Sequence, residues 1–254
     1  MGVLERELEY HERLYSGFAQ AHFARPGVRA LRRHMARRIL QATGAGRRSR
    51  LLSLGCGIGD TELLLAPHVE EVVGIDLSPA AIRQAREDAA RLGVGNARFL
   101  EGAAPDVPNA RYDAVVAIFF LHHLADSTLA DLPHQVMQLL VPGATFYSLD
   151  PSRRRLSGAV GRVVFPRLMR RYQTPDEREL DPESTAALFR AAGFEACLGM
   201  YDFGSSPLAG LAPGWQAGYR AARRLDDWLL RLAPLRRRGS NFEIIARMPG
   251  LLSS

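Results

Sequence analysis

The stretch Leu51-Leu-Ser-Leu-Gly-Cys-Gly-Ile-Gly-Asp60 constrains this chain more than any other. Four mostly apolar residues run into a glycine cluster, and a helical pattern follows. That order reads as a buried strand, a tight turn and the start of a helix. Gly55, Gly57 and Gly59 carry no Cβ, so a ligand can lie against bare backbone at the turn. A second strand pattern, Glu71-Val-Val-Gly-Ile-Asp76, ends in a carboxylate 21 residues after Gly55. In a nucleoside-binding α/β unit, an acid at the tip of the second strand holds the ribose hydroxyls. The dinucleotide fingerprint G-x-G-x-x-G has its third glycine where this chain has Asp60. A carboxylate there repels a pyrophosphate, which wants the helix dipole and free N–H groups. The turn therefore suits a ligand with an adenosine end, no phosphate and a cationic amine.

The rest of the chain repeats the strand–helix alternation. Ser78-Pro79 starts a helix, with Ser capping and Pro at the first helical position. Ile82, Ala85, Ala89 and Leu92 continue it at helical spacing. Strands are expected near 97–101, 114–119 and 144–149, with a helix near 130–140 and a turn at Pro142-Gly143. Asp181-Pro-Glu-Ser-Thr185 opens a further helix that ends at Gly193-Phe194. Strands near 197–203 and at Asn241–Arg247 close the pattern. The alternation predicts a doubly wound, mostly parallel sheet with its ligands beyond the carboxyl ends of the strands.

Six pieces follow in order: Leu54-Gly-Cys-Gly-Ile-Gly59, Val73-Gly-Ile-Asp-Leu-Ser78, Phe99-Leu-Glu-Gly-Ala-Ala104, Tyr112-Asp-Ala-Val-Val116, Leu121-His-His-Leu124 and Leu140-Val-Pro-Gly143. With these pieces, at this spacing, the chain resembles a class I S-adenosylmethionine (SAM)-dependent methyltransferase across residues 50–150. The resemblance implies a seven-stranded sheet whose last strand is antiparallel. It also implies a helical N-terminal cap and helical insertions after strands five and six. The expected layout is one domain over 1–254: a cap at 1–45, a SAM-binding core at 46–150 and a substrate-facing part at 151–254. SAM is the implied cofactor. Gly55, Gly57 and Gly59 would bring backbone against it, Asp76 would take the ribose hydroxyls, and Leu77 would flank the adenine. Ala103 and Ala104 would sit at the adenine edge, and Ile118 would contact the ligand from the end of strand four. Asp60 is expected to hold the ammonium or, more simply, to cap its helix. His122 is the candidate general base, since a neutral imidazole titrates near working pH; Tyr147 and Asp150 are candidates for the acceptor side.

Two positions depart from the family pattern. Ser53 and Ala103 stand where the family often has acids, one for the methionine amine and one for the adenine amino group. A charged hydrogen bond is worth roughly 1.5–3 kcal/mol, or about a tenfold to hundredfold in affinity. This motivates a rival reading, a non-catalytic SAM-binding or scaffold subunit.

The acceptor is expected to be a small organic molecule, anionic or lipophilic. The N-terminal helical pattern (Leu4, Leu8, His11 and Tyr15; then Val28, Leu31, Met35, Ile39 and Leu40) would cover the site, with Tyr15, Phe18, His11 and His22 as candidate lining. Pro151 to Pro175 carries seven arginines and no acid, with apolar residues at helical spacing. Leu225, Trp228, Leu229, Leu232 and Leu235 form a second apolar stripe, expected to pack over the substrate mouth. Both stretches leave a membrane-surface role open, with lipid, quinone or isoprenoid acceptors as the alternative. All 33 basic residues are arginine and the net charge is +6. We read this as the usage of a GC-rich genome, and nucleic acid is not expected as a partner. No apolar run reaches the ~20 residues that span a bilayer, and no signal-peptide core opens the chain. Cys56 and Cys197 make neither a disulfide framework nor a metal set. A cytoplasmic setting without a metal is expected; the pattern leaves the oligomeric state open.

Overall fold

The computed structural model describes His22 and residues 24–103, 111–155, 179–235 and 237–250. The elements in chain order are α1 (Pro26–Thr43), β1 (Arg50–Leu54), α2 (Glu62–Leu65), β2 (Glu71–Asp76), α3 (Pro79–Leu92), β3 (Ala97–Glu101), β4 (Tyr112–Ile118), α4 (Asp126–Leu139) and β5 (Leu140–Pro151). They continue with α5 (Pro182–Ala191), β6 (Glu195–Asp202), α6 (Ser205–Leu211), α7 (Gln216–Leu229) and β7 (Asn241–Arg247). The strands form one seven-stranded sheet in the order β3-β2-β1-β4-β5-β7-β6. β7 runs antiparallel to both neighbours, and the pairs from β3 to β5 are parallel. This is the doubly wound sheet that the sequence predicts.

Alternation along the strands divides the core between two faces. Leu52, Val73, Val115 and Phe146 meet Leu132, Val136 and Phe189 from α4 and α5. Leu51, Val72, Val116 and Tyr147 meet Met35 and Ile39 of α1, Leu65 of α2 and Tyr219 of α7. α3 covers β2 and β3 through Ile82, Ala85 and Phe99. The cap on α3 is as read: Ser78 Oγ accepts from the Ala81 N–H at 3.2 Å. Asp181 caps α5 in the same way, through Ser184.

Some boundaries differ from the sequence reading. β5 begins at Leu140, not at 144, because Pro142-Gly143 is taken up as an irregularity within the strand. Tyr112 pairs with Leu140 but Ala114 pairs with Thr145, and Gly143 has φ +81°. The insertion after β6 is helical, as expected, but its apolar stripe is not the packed face. α7 buries Gly218, Tyr219, Arg223 and Asp226, and leaves Leu225 and Trp228 exposed. The polar groups have reasons to be inside: Asp226 accepts from the Gly204 and Ser205 N–H groups at the start of α6, and Arg223 donates to the Tyr201 carbonyl. The first half of the N-terminal pattern and residues 156–178 lie outside the described residues.

Candidate active site

The site grows from the turn after β1. Gly55 and Cys56 both donate N–H groups to the Ile75 carbonyl, which ties the turn to β2. Gly55 and Gly59 have φ of +65° and +71°, where a Cβ is strained. A Cβ on Gly59 would also meet the Phe99 ring at 2.5 Å. Asp76, at the tip of β2, accepts from the Gly57 N–H at 2.8 Å and the Ser78 N–H at 2.9 Å. A carboxylate has about four lone-pair positions, so these two bonds fix its orientation and leave capacity for a ligand's hydroxyls.

The sequence reading missed Glu62. It lies buried at the start of α2 and receives the Ser53 hydroxyl at 2.6 Å on Oε1. Its other oxygen, Oε2, is buried with no hydrogen-bond partner. Burial pushes the Glu62 carboxyl up to about 7 against the Ser53 hydrogen bond, and the nearby Asp60 adds to the rise while Arg32 opposes it. The sequence held a signal in hindsight: an acid within an otherwise apolar Leu-rich helical turn has to be buried for a reason. Asp60 itself does not cap the helix, because Thr61 occupies the N-cap position. It pairs instead with Arg32 of α1 at 2.8 Å, which draws the N-terminal cap over the glycine turn.

The ends of β4 and β5 supply the second half of the site. His122 Nδ1 lies 2.9 Å from Asp150 Oδ1, and both side chains are buried. The His122 N–H also points to that oxygen, at 3.3 Å. Asp150 Oδ2 has no hydrogen-bond partner. The His123 ring lies against that of His122, tilted by 40° with ring centroids 4.0 Å apart. Phe119, just after β4, has φ +54°, an uncommon state for an aromatic residue that costs on the order of 1–3 kcal/mol. The strain is held by its N–H bond to the Leu149 carbonyl at 2.7 Å and sits at the same strand edge as His122.

Of the residues singled out from sequence, the glycine turn, Asp76, Leu77, Ala103 and Ile118 all lie at the carboxyl edge of the sheet. Leu77 is exposed there. Ala104, Tyr15, Phe18 and His11 lie outside the described residues. His22 is half-buried, and burial, then Arg32 and Arg25, lower its imidazole. Tyr147 does not face an acceptor. It is fully buried under α1 and donates to Glu243 Oε2 at 3.0 Å, and burial holds its hydroxyl protonated. Among the described residues no cluster of His, Cys, Asp or Glu has the arrangement of a metal site.

A doubly wound sheet with a glycine turn after β1, an acid ending β2 and a buried acid in α2 defines a nucleoside-binding domain of the methyltransferase kind. Residues 51–143 match the family model described as a methyltransferase domain. The chain is 33% identical over 103 residues to the uncharacterized methyltransferase YcgJ of Bacillus subtilis (strain 168), covering 40% of each chain. The crystal structure of that protein superimposes with a TM-score of 0.58 over 85% of this chain and 98% of the other, at 20% identity. A SAM-dependent methyltransferase from Archaeoglobus fulgidus gives a TM-score of 0.61 at 18% identity, over 91% of this chain and 100% of the other. The 23S rRNA (uracil(1939)-C(5))-methyltransferase RlmD of Xylella fastidiosa (strain 9a5c) is 44% identical over 69 residues, 27% of this chain and 16% of that protein. The chain thus matches less than half the length of these curated relatives.

Proposed function

We propose that this protein transfers a methyl group from SAM to a small organic acceptor, anionic or lipophilic, by in-line displacement, and that residues 1–254 work as one domain in the cytoplasm. The observation that carries the reading is the cradle at the carboxyl edge. It joins a glycine turn with three left-handed glycines, an oriented Asp76 and a buried Glu62 with an orphaned oxygen. That donor set fits SAM, which carries a ribose, an adenine and an ammonium. Asp76 would take the ribose hydroxyls, Gly55, Gly57 and Gly59 the methionine end, and Leu77, Ala103, Ala104 and Ile118 the adenine side. Glu62 would supply the anion for the ammonium that Ser53 lacks. This favours a working site over a scaffold subunit.

When bound, SAM supplies a methyl group already activated on a sulfonium, so the protein's task is alignment and proton removal. Asp150, accepting from Nδ1–H of His122, would fix the tautomer that offers Nε2 as the proton acceptor. His122 is only 4% exposed, which supports an acceptor whose reacting group is small enough to reach it. The rRNA methyltransferases match 27% of this chain or less, too little of it to carry an argument for their acceptor here. The cytoplasmic setting is supported by two free cysteines, one of them, Cys197, exposed.

The test is calorimetric titration of SAM and its demethylated product into the wild type and Asp76→Ala, then a screen of acceptors with methyl-labelled SAM. Micromolar binding lost in a folded Asp76→Ala, with label transferred to an acceptor, is the expected result. A folded wild type that binds neither compound overturns the reading.

A further inference from the structure

Away from the glycine turn, α1 and α7 enclose a cleft of about 410 Å3 lined by Arg33, Arg37, Arg220, Arg223, Arg224 and His34. Like charges gathered this way repel one another unless something anionic is held between them. Among the described residues, only Arg223 of this set has a carboxylate partner, Asp227 at 2.7 Å. The described residues provide no ion pair for Arg33, Arg37, Arg220 or Arg224. The remaining acid of α7, Asp226, is committed to the start of α6. The cationic field also marks His34, whose imidazole is pushed down to about 4 by burial and then by Arg223, against Asp227.

The outer face of α7 adjoins this cleft. Ala217, Ala221, Leu225 and Trp228 form one stripe at helical spacing, and Arg220 and Arg224 run beside it. Seven large apolar residues are exposed among the described residues, and five of them (Leu211, Trp215, Leu225, Trp228 and Leu232) fall between positions 211 and 232. That concentration marks a surface built to meet something apolar. Large aliphatic groups next to tryptophan, with unpaired guanidinium groups on one flank, match the boundary of an anionic bilayer. There the tryptophans sit among headgroups and the arginines reach phosphates.

We propose that the α6–α7 face docks on a membrane carrying anionic phospholipid, with Leu225, Trp228 and Trp215 in the headgroup–acyl boundary and a lipid phosphate in the α1–α7 arginine cleft. Charge complementarity selects a lipid surface, and the aliphatic stripe separates it from a nucleic-acid strand, whose recognition calls for aromatics spaced to stack bases. The inference is independent of methyl transfer and stands or falls separately from it.

The chain has two tryptophans, Trp215 at the start of α7 and Trp228 near its end, both exposed, so tryptophan emission reports on this helix alone. The full-length protein is floated with vesicles of phosphatidylcholine alone and of phosphatidylcholine mixed with phosphatidylglycerol, over a salt series. Expected are recovery with the mixed vesicles only, a blue shift of tryptophan emission, and loss of both as salt rises. The double variant Arg220→Glu/Arg224→Glu should reduce recovery at least tenfold, and Leu225→Ser should remove the blue shift. All three substituted side chains are exposed, and far-UV circular dichroism with a thermal unfolding midpoint checks that the variants are folded. No recovery by folded wild type, or recovery unchanged in both variants, overturns the proposal. So does retention of a single-stranded RNA oligomer, or binding of inorganic phosphate, without vesicle binding.

Discussion

Ser53 and Glu62, nine residues apart, share one buried hydrogen bond of 2.6 Å in which the serine hydroxyl donates to the carboxyl. The strand position that would carry an acid holds a hydroxyl, and the next helix delivers a carboxyl to it. Under the proposed function, Glu62 would therefore belong to the cofactor site. Replacing it by Gln keeps the shape and removes the charge. We expect Glu62→Gln to weaken SAM binding about tenfold to hundredfold by calorimetry, the worth of one charged hydrogen bond.

The same residue sets a pH dependence. Its carboxyl is raised from 4.5 to about 7 in the folded chain. A raised carboxyl contributes stability that is full below pH 4.5 and is lost as pH rises through 7. In the protein without cofactor, thermal stability should thus fall between pH 5 and 8, and Glu62→Gln should flatten that fall. Binding of the cationic cofactor has the opposite sign, because it needs the ionised form. SAM affinity should rise over the same window in the wild type and not in Glu62→Gln. An affinity that is flat with pH in the wild type would remove Glu62 from the ammonium site.

Much of the fold was legible because it is written in local signals. β2, β3 and β7 lie at the residues read from the sequence, the Ser78 cap formed as predicted, and the helix expected to open at Asp181-Pro182 begins there. What could not be read depends on contacts between distant segments. Nothing near Asp60 in sequence reveals Arg32 as its partner, and nothing near Arg223 reveals that the Tyr201 carbonyl waits for it. Helical periodicity placed Leu225 and Trp228 on one stripe correctly but not its direction, because buried polar partners decided which face α7 turns inward. The role of Glu62 is not legible in the sequence because only the fold brings its carboxyl beside Ser53, nine residues earlier.

The turn after β1 leaves no room for a side chain at Gly59. Its φ of +71° strains any L-residue, and the clashing ring belongs to Phe99, itself buried against Ala85 and Ile82. A Cβ cannot be relieved without moving the α3 contact. Gly59→Ala is expected to cost about 1–3 kcal/mol, an overpacking penalty plus left-handed strain, and to lower SAM affinity as well. Denaturant unfolding gives the first quantity and calorimetry the second.

His122 and Asp150 separate chemistry from binding. His122→Gln should leave SAM affinity within about twofold while lowering kcat on the acceptor about 10²- to 10⁴-fold, the usual contribution of a positioned base. Asp150→Asn should lower kcat less, because the amide oxygen still accepts from the imidazole. The kcat of His122→Gln should also lose the pH dependence of the wild type. An unchanged kcat would leave the pair with a structural role in joining β4 to β5.

Arg38 anchors the N-terminal cap to β7, one strand in from the edge of the sheet. Its Nε donates to Glu243 Oε2 at 2.9 Å, and Tyr147 donates to the same oxygen from the other side. Glu243 is 8% exposed, while Arg38 is about one-third exposed, so solvent screens part of the attraction. Removing the guanidinium nevertheless leaves a carboxylate in a site where water reaches it poorly, and only a phenol to satisfy it. Arg38→Ala should destabilise the protein by about 1–3 kcal/mol, and Arg38→Ala with Glu243→Gln should recover part of the loss, since the double variant buries no unpaired charge. Because α1 also carries Arg32 to Asp60, the loosened helix should weaken SAM binding in Arg38→Ala although Arg38 is far along the helix from the glycine turn. Unfolding midpoints of the single and double variants, with SAM titrations on each, separate the charge effect from the docking of the cap. Equal stability of Arg38→Ala and wild type would mean that the apolar contacts of Met35 and Ile39 alone hold α1 in place.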